Sequence, residues 1–227
     1  MTTEFDLKSD GVRALNQSLH ASAADGARVR VSNPGGKHNI AVGALHECEV
    51  EIDGHVGYYC AGMNQRARIV VHGNAGPGLA ENMMSGRVEV AGDASQYCGA
   101  TARGGLLVIR GNAAARCGIS LKGADIVVGG DIGHLSAFMA QRGRLVVCGD
   151  AGDALGDSIY EARIYLRGEV KSRGADCIEK PMEAEHREEL AQLLDRAEIG
   201  GVKVADFRRF GSARELYHFK VDNVAAY

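Results

Sequence analysis

Three kinds of side chain in this sequence have the chemistry to bind a metal ion or to react, and cysteine is the first. Cys60, Cys98 and Cys117 recur at multiples of nineteen residues, so stacked thiols could form a disulfide or bind a metal. The other positions of the same row are Leu79, Ser136 and Leu155. Such a row is typical of internal packing, and free cysteine is among the most buried residue types. We therefore predict packed thiols, with a redox or metal-binding role as the alternative.

Carboxylates form a second row with the same spacing. Asp93, Asp131 and Asp150 could bind calcium or act as the acid and base of a glycan-cleaving enzyme. However, Asn74 and Asn112 occupy the neighbouring positions of the row, and every member follows a glycine. Gly-Asn and Gly-Asp steps are turn chemistry, in which the side chain bonds nearby backbone. We expect these residues to cap turns.

Histidine is the third candidate, because it is a common zinc ligand. His55, His72 and His134 do not differ by multiples of nineteen, so they share no row and are not expected to converge. The sequence also lacks a glycine-lysine phosphate loop, and no serine or cysteine has a recognisable base beside it. We expect no catalytic, cofactor-binding or metal-binding residue on this chain.

The spacing that organises these rows is set by glycine. One glycine returns every nineteen residues, and an apolar strand precedes each of them, as in the sequence Ile-Val-Val-His-Gly that ends at Gly73. The eight structural turn glycines are Gly35, Gly54, Gly73, Gly92, Gly111, Gly130, Gly149 and Gly168. A short strand cannot bury its apolar face alone, so the copies must stack and share a core. We expect these glycines to supply the positive φ of a sharp turn.

The rows between the glycines predict the architecture. Positions 15 and 17 after each glycine are apolar throughout, and residues two apart on a strand share one face. Position 7 is small from the second coil onward, which marks a tight corner. Because parallel strands are joined by right-handed crossovers in nearly all proteins, we predict an all-β fold: a single-stranded, right-handed parallel β-helix with 19-residue coils. The small residues are Ala61, Ala80, Gly99, Gly118, Ala137, Gly156 and Ala175.

Segments without the repeat flank this rod, so we divide the chain into an N-terminal helix and cap (1–34), the β-helix (35–180) and a C-terminal helix and aromatic tail (181–227). At the front, Ser9 can cap a short helix. At the back, Pro181 can open a helix that reaches about Ile199. A β-helix has raw edges at both ends, and we expect both segments to cover them.

The last part of the chain is rich in aromatic residues and arginines, which are enriched where proteins bind each other. We regard this tail as a possible docking site for a partner, and the alternative is that it folds back along the rod. The residues concerned are Phe207, Arg208, Arg209, Phe210, Tyr217, Phe219 and Tyr227.

Composition excludes several classes of function. The chain has 26 basic and 29 acidic side chains, so no strong field attracts nucleic acid or a membrane surface. The first residues are neither basic nor apolar, and no segment is long enough to span a bilayer. The six cysteines lack the spacing of a disulfide framework. We expect a cytoplasmic protein that binds neither nucleic acid nor membrane.

The repeat resembles a known domain. Residues 92–99, Gly-Asp-Ala-Ser-Gln-Tyr-Cys-Gly, and 104–110, Gly-Gly-Leu-Leu-Val-Ile-Arg, are similar to the C-terminal GXGXG β-helix domain of glutamate synthase large subunits. The likeness extends over about residues 35–175, and residues 13–19 resemble the lead-in helix. Here the domain stands alone, as in the separate GXGXG subunit of N-methylglutamate synthase.

That resemblance implies a structural subunit of a complex that makes N-methylglutamate and ammonia from glutamate and methylamine, a methylamine–glutamate N-methyltransferase activity. Its partners would be a class II glutamine amidotransferase-like subunit and an FMN-binding, glutamate synthase-like subunit. FMN and the iron–sulfur cluster would be bound by a partner and not by this chain.

Two alternatives stay open. The C-type subunit of formylmethanofuran dehydrogenase and of related formyltransferase/hydrolase complexes contains a similar GXGXG domain. A stand-alone β-helix lyase would instead need a groove with adjacent acidic and basic side chains, of which the rows supply little.

Overall fold

The computed structural model describes residues 2–214, and within them the chain forms one sheet of eleven strands and two α-helices. The strands are β1 (Thr2–Asp6), β2 (Arg28–Ser32), β3 (Glu49–Ile52), β4 (Arg68–Val71), β5 (Arg87–Val90), β6 (Leu106–Ile109), β7 (Lys122–Val128), β8 (Arg142–Val147), β9 (Arg163–Leu166), β10 (Cys177–Lys180) and β11 (Arg208–Ser212). The helices are α1 (Gly11–His20) and α2 (Ala184–Arg196). Tyr217, Phe219 and Tyr227 lie outside the described residues.

The strands stack in chain order as a parallel β-solenoid. From β3 to β9 each strand pairs with the next in a register of nineteen residues, so that Val50 lies opposite Ile69 and Ile69 opposite Val88. A second ladder of single bridges runs alongside, from Val56 to Val170. The predicted stack of coils is confirmed.

The interior is the predicted apolar wall. The residues of the two inward rows, such as Leu107 and Ile109 on β6, are all buried. They belong to one hydrophobic core that continues from Leu7 on the N-terminal side to Phe210 on the C-terminal side. Each coil therefore contributes its own layer to a common core, which no single coil could form.

The first coil departs from the repeat. Val31 pairs with Ile52, so counting two residues onward places Asn33, and not Gly35, opposite Gly54. Gly35 was predicted to belong to the glycine row, and that prediction is wrong. The first coil is two residues longer than the later ones at the strand register, so the nineteen-residue spacing from Gly35 to Gly54 does not follow that register. Gly35 does have the predicted positive φ, at 53°.

The other row glycines have a different role from the one predicted. Positive φ is found at Gly54, but Gly73, Gly92, Gly111, Gly130, Gly149 and Gly168 do not have it. Instead, a Cβ at Gly111 would collide with Asp93 Oδ1 and with the backbone of Gly92. A Cβ at four other glycines would collide in the same way with the Asn or Asp of the preceding coil; these are Gly92, Gly130, Gly149 and Gly168. Glycine is required here because two coils approach closely.

Because the coils approach closely, the Asn and Asp side chains that follow the glycines form a ladder of hydrogen bonds from coil to coil. Asn74 Oδ1 accepts the Asp93 N–H at 3.0 Å, and Asp93 Oδ1 accepts the Asn112 N–H at 2.7 Å. The ladder continues through Asp131 and Asp150 to the N–H of Glu169 at 2.8 Å. These side chains do cap turns, but each caps the turn of the next coil and not its own.

Positive φ belongs instead to the small-residue corner. Ala61, Ala80, Gly99, Gly118, Ala137 and Gly156 have φ between 53° and 66°, the left-handed region that glycine enters freely and alanine only at a cost. Ala175 does not share this conformation; its neighbour Asp176 has φ 62°. Inter-coil bonds hold the corner on both sides, as when the Ala80 N–H donates to the Cys60 carbonyl at 2.9 Å.

The helix α2 lies on the outer face of the rod and not across its end, which corrects the prediction. Leu190, Leu193 and Leu194 pack against the outward side chains of β6, β7 and β8, including Val108 and Val127. The strands beneath are thus buried on both faces, and their outward row had to be apolar. The helix also begins at Ala184, three residues after Pro181, because His186 Nδ1 accepts the Glu183 N–H at 3.2 Å and caps it there.

Other elements cover the ends. At the front, β1 adds a parallel strand to β2, while Leu15 and Leu19 of α1 pack into the core. Asp10, and not Ser9, is the N-cap of α1. At the back, β11 runs antiparallel beside β9 and inserts Phe210 into the core. These strands leave the raw edges of the solenoid covered.

Partly buried ion pairs attach α2 to the sheet. Glu189 Oε2 accepts from Arg144 at 3.1 Å and from Arg163 at 2.9 Å, and its Oε1 accepts from the Tyr165 hydroxyl at 2.5 Å. Asp125, which is also buried, pairs with Arg144 at 2.5 Å and with Arg196 at 3.1 Å. Burial raises the pKa of Glu189, but the hydrogen bonds from Tyr165 and Arg163 outweigh it, so that its pKa lies below the ordinary value.

We predict that Gly111→Ala destabilises the protein by about 2–4 kcal/mol, since the new Cβ must displace Asp93 and break the ladder. Urea unfolding followed by circular dichroism measures the change. Gly200→Ala is the matched control, because nothing lies within 4 Å of a Cβ there. Equal stabilities of the two variants would contradict the close-approach account.

We predict that Glu189→Gln lowers the free energy of unfolding at pH 7 by about 2–3 kcal/mol, because Arg163 loses its charged partner and Arg144 loses one of two. The pKa of Glu189 is lower in the folded chain than its ordinary value of 4.5, so its contribution is present above pH 4.5 and is lost as the pH falls through the folded pKa. Between pH 7 and pH 3, the free energy of unfolding should therefore fall less steeply for this variant than for the wild type. The exposed neighbour Glu188→Gln serves as control and should leave both quantities near the wild-type values.

Candidate functional site

The cysteine row lies inside the rod. Cys60, Cys98 and Cys117 are fully buried in the core, and all six cysteines of the chain are free thiols. Burial raises the pKa of Cys60 to about 12. Hydrogen bonding to Cys98, together with burial, raises the pKa of Cys117 well above its usual value. Thiols that stay protonated are poor nucleophiles and poor metal ligands, so the packing prediction is the one that this geometry supports.

The histidines have separate surroundings. His55 Nδ1 accepts the Asn74 N–H at 2.9 Å and so begins the Asn/Asp ladder. His72 pairs with Glu51 on the outer surface, and His134 is exposed. Among residues 2–214, no three His, Cys, Asp or Glu side chains are grouped so that they could hold a metal ion.

The predicted docking residues divide into three groups. Phe207 and Phe210 are buried in this chain's own core, Phe207 beneath α2 and Phe210 at the end of the rod. They pack along the rod and present no surface to a partner, so for these two the alternative stated above is the correct one. Arg208 donates to the Gly168 carbonyl at 2.7 Å, and Arg209 donates to the Pro181 carbonyl at 2.9 Å. Docking by Tyr217, Phe219 and Tyr227 stays a prediction.

A basic groove is the feature that the sequence reading missed. It is open, has a volume of about 1030 Å³, and lies where β7 and β8 begin, between those strands and the β10–β11 pair. Lys122 and Arg142 are paired neighbours at the starts of β7 and β8, and Arg103 precedes Lys122 by one coil. Lys180 and Arg209 line the opposite side. Glu161 and Glu189 are the acidic residues that line it.

Local backbone irregularity shapes this groove. The pairing of β7 with β8 shifts register between Lys122 and Asp125, and Gly123 and Gly143 have φ of 146° and 107°. A Cβ at Gly123 would meet the Arg103 carbonyl oxygen, and one at Gly143 the Ala124 carbonyl oxygen. The two glycines therefore let the strands start with an irregular turn, and the side chains before them leave the regular rows.

The basic side chains on the two sides of Gly123 differ in whether they have carboxylate partners. On the strand side, Asp125 and Glu189 neutralise Arg144 and Arg163. On the groove side, no carboxylate within the described part of the chain pairs with Arg103, Lys122, Arg142 or Lys180. These four side chains can bind an anion. The signal was present in the sequence, because Arg103 and Lys122 share a repeat position and Arg142 follows one residue out of phase.

A known protein is similar to this chain over its whole length. Protein GlxC of Rhizobium meliloti (strain 1021) is 59% identical over 225 residues, which cover 98% of this chain and 99% of that protein. No family model matches the sequence, and no solved structure matches it. No helix within residues 2–214 is long and apolar enough to cross a membrane.

We predict that a thiol reagent such as DTNB at pH 8 leaves the six cysteines of the native protein almost unlabelled, because each is buried and the pKa values of Cys60 and Cys117 are raised. The same chain in guanidinium chloride should release six equivalents of chromophore. Rapid labelling of Cys98 or Cys117 in the native protein, identified by mass spectrometry, would contradict the packing role and favour the redox or metal-binding alternative.

Proposed function

The chain belongs to the family of protein GlxC, and we propose that it is a non-catalytic structural subunit of a glutamate synthase-like complex. The observation that carries the proposal is the unbroken stack of 19-residue coils from β3 to β9. Its sequence resembles the GXGXG domain of glutamate synthase large subunits, and its geometry is that of a stiff spacer. The proposed location is the cytoplasm.

Stiffness follows from how the coils are joined. Backbone N–H groups donate to the coils on both sides, the Asn/Asp ladder adds a side-chain bond at successive turns, and one core passes through the coils. A coil can move only by breaking several of these bonds together. Such a rod is suited to hold two active sites at a fixed separation while a small amine or ammonia passes between them.

The finer proposal concerns the reaction. Because the match covers 99% of protein GlxC, that relative is itself no larger than this domain. We propose that the complex is N-methylglutamate synthase, which converts glutamate and methylamine to N-methylglutamate and ammonia. The partners would be a class II glutamine amidotransferase-like subunit and a glutamate synthase-like subunit that binds FMN and an iron–sulfur cluster. This chain would bind neither cofactor and would keep the two partners in register.

Gentle affinity purification of the tagged full chain from its native cells tests the proposal. We expect both partner subunits to co-purify, with the visible spectrum of flavin and iron–sulfur cluster, and we expect the complex to form N-methylglutamate from glutamate and methylamine. Recovery of a formyltransferase subunit without flavin would identify the alternative, a formylmethanofuran dehydrogenase-type complex. Turnover by the isolated chain would contradict the structural role.

The same purification tests the tail. A chain that ends at Arg214 keeps β11 and Phe210 but lacks Tyr217, Phe219 and Tyr227. If these three aromatics dock a partner, recovery of that partner should fall about tenfold or more, the loss of one interface hot spot. The midpoint of thermal unfolding of the isolated chain should stay the same. Full recovery of both partners would exclude the tail from docking.

A further inference from the structure

The basic groove carries a row of like charges for which no ion pair is found within residues 2–214. Arg103, Lys122 and Arg142 stand on successive coils, and coils in a parallel stack are ~4.8 Å apart. Elsewhere along the rod, arginines that lie opposite each other have carboxylate partners. Arg68 and Arg87 pair with Glu51 and Glu89. Arg144 and Arg163 share Glu189. Like charges directly opposite each other on paired strands are destabilising.

The row stays uncompensated within residues 2–214. Lys180 and Arg209 face it across the groove, and each of the nearest buried carboxylates, Asp125 and Glu189, is already shared by two arginines. Exposed Glu161 is the one other acid that lines the groove. The formal net charge of the chain is −3, yet this groove gathers several positive charges that have no carboxylate partner within the described residues. An external anion would relieve that repulsion.

We propose that this groove is the docking site for a carboxylate-rich segment of a partner subunit. Each cation of the row would pair with one Asp or Glu side chain, while the segment lies along the rod axis between the starts of β7 and β8 and the β10–β11 pair. The inference rests on the proposed function as a scaffold, and it names the chemistry by which one partner is held.

Three observations favour a polypeptide over other anions. The cations form a line, whereas the donors around a bound phosphate converge on one point. The groove is open and large for a small anion, at about 1030 Å³. Nucleic acid is disfavoured, because the chain as a whole is negatively charged and a phosphate backbone would be repelled outside the groove. Carboxylates on alternate residues of an extended segment are ~7 Å apart, which flexible Lys and Arg side chains can match.

The test compares two triple variants with the same change of charge. The groove variant is Arg103→Glu, Lys122→Glu and Arg142→Glu. The control variant is Lys8→Glu, Arg13→Glu and Lys37→Glu, three exposed cations in the N-terminal part of the chain, none of which lines the groove. In affinity purification of the full chain, we expect the groove variant to lose at least about tenfold in recovery of one partner subunit, and the control variant to lose little.

A zero-length carbodiimide cross-linker identifies the contact. It joins an amine to a carboxylate only when the two already touch. In the purified complex we expect Lys122 to be linked to an Asp or Glu of a partner subunit, as found by mass spectrometry. Links from Lys122 only to this chain, or to a second copy of it, would overturn the proposal.

A stability measurement separates docking from a structural role. Because the row is repulsive, Lys122→Gln in the isolated chain should leave the unfolding midpoint unchanged or raise it by roughly 1–2 °C, while it weakens partner recovery. A residue that merely supports the fold would lower both. A lower midpoint together with normal recovery would therefore contradict the docking role.

A binding assay on the isolated chain keeps the test independent of the scaffold proposal. Anisotropy of a fluorescein-labelled oligoglutamate peptide at low salt should show binding at least about tenfold tighter for the wild type and the control variant than for the groove variant. Oligoglutamine should not bind. If inorganic tripolyphosphate displaces the peptide at much lower concentration than unlabelled oligoglutamate does, the site is one for small polyanions and the proposal fails. If peptide binds but no partner co-purifies, the scaffold proposal fails and the groove's chemistry stands.

Discussion

The structure depends on how closely successive coils approach at one edge of the rod. At that edge the Asn or Asp of one coil bonds the backbone N–H of the next, and glycine is the residue that leaves room for it, as at Gly111 above Asp93. The bond fixes both the distance and the register between coils. A coil with one residue more or fewer would move the acceptor away from its donor and shift every inward side chain. The constancy of the nineteen-residue repeat from β3 to β9 follows from this constraint.

A rod closed in this way has few places for chemistry. Its interior is filled by apolar rows, and burial raises the pKa of Cys60 there, while hydrogen bonding to Cys98 and burial raise the pKa of Cys117. Features that differ from coil to coil therefore face away from the interior. They are the apolar patch that receives α2, the shared carboxylates Asp125 and Glu189, and the basic groove beside them. For a spacer this is a sensible division, because the regular part provides stiffness and the irregular part can provide recognition.

Sequence patterns predicted the repeat, the inward rows and the turn-capping row, since each follows from a periodic constraint that acts on every coil. They gave the wrong role to the row glycines, because spacing alone cannot distinguish positive φ from a lack of space for a Cβ. They also included Gly35, whose spacing fits by coincidence. The position of α2 was missed although a signal existed. The outward row becomes apolar at Val108, Val127 and Val146, and an apolar row that faces outward requires a cover.

By itself, the sequence determined that this chain is a stack of equal coils with an apolar interior, because each copy of the repeat can bury its apolar residues only by stacking on the next. The tertiary structure decided which side of the rod the helix covers, that Phe207 and Phe210 are internal, and that Arg103, Lys122 and Arg142 meet across a groove with Lys180 and Arg209. Those outcomes depend on contacts between residues far apart in the chain and on two irregular glycine turns. The sequence marks the apolar outward row and the shared position of Arg103 and Lys122, but it does not show which distant segment packs beside each of them.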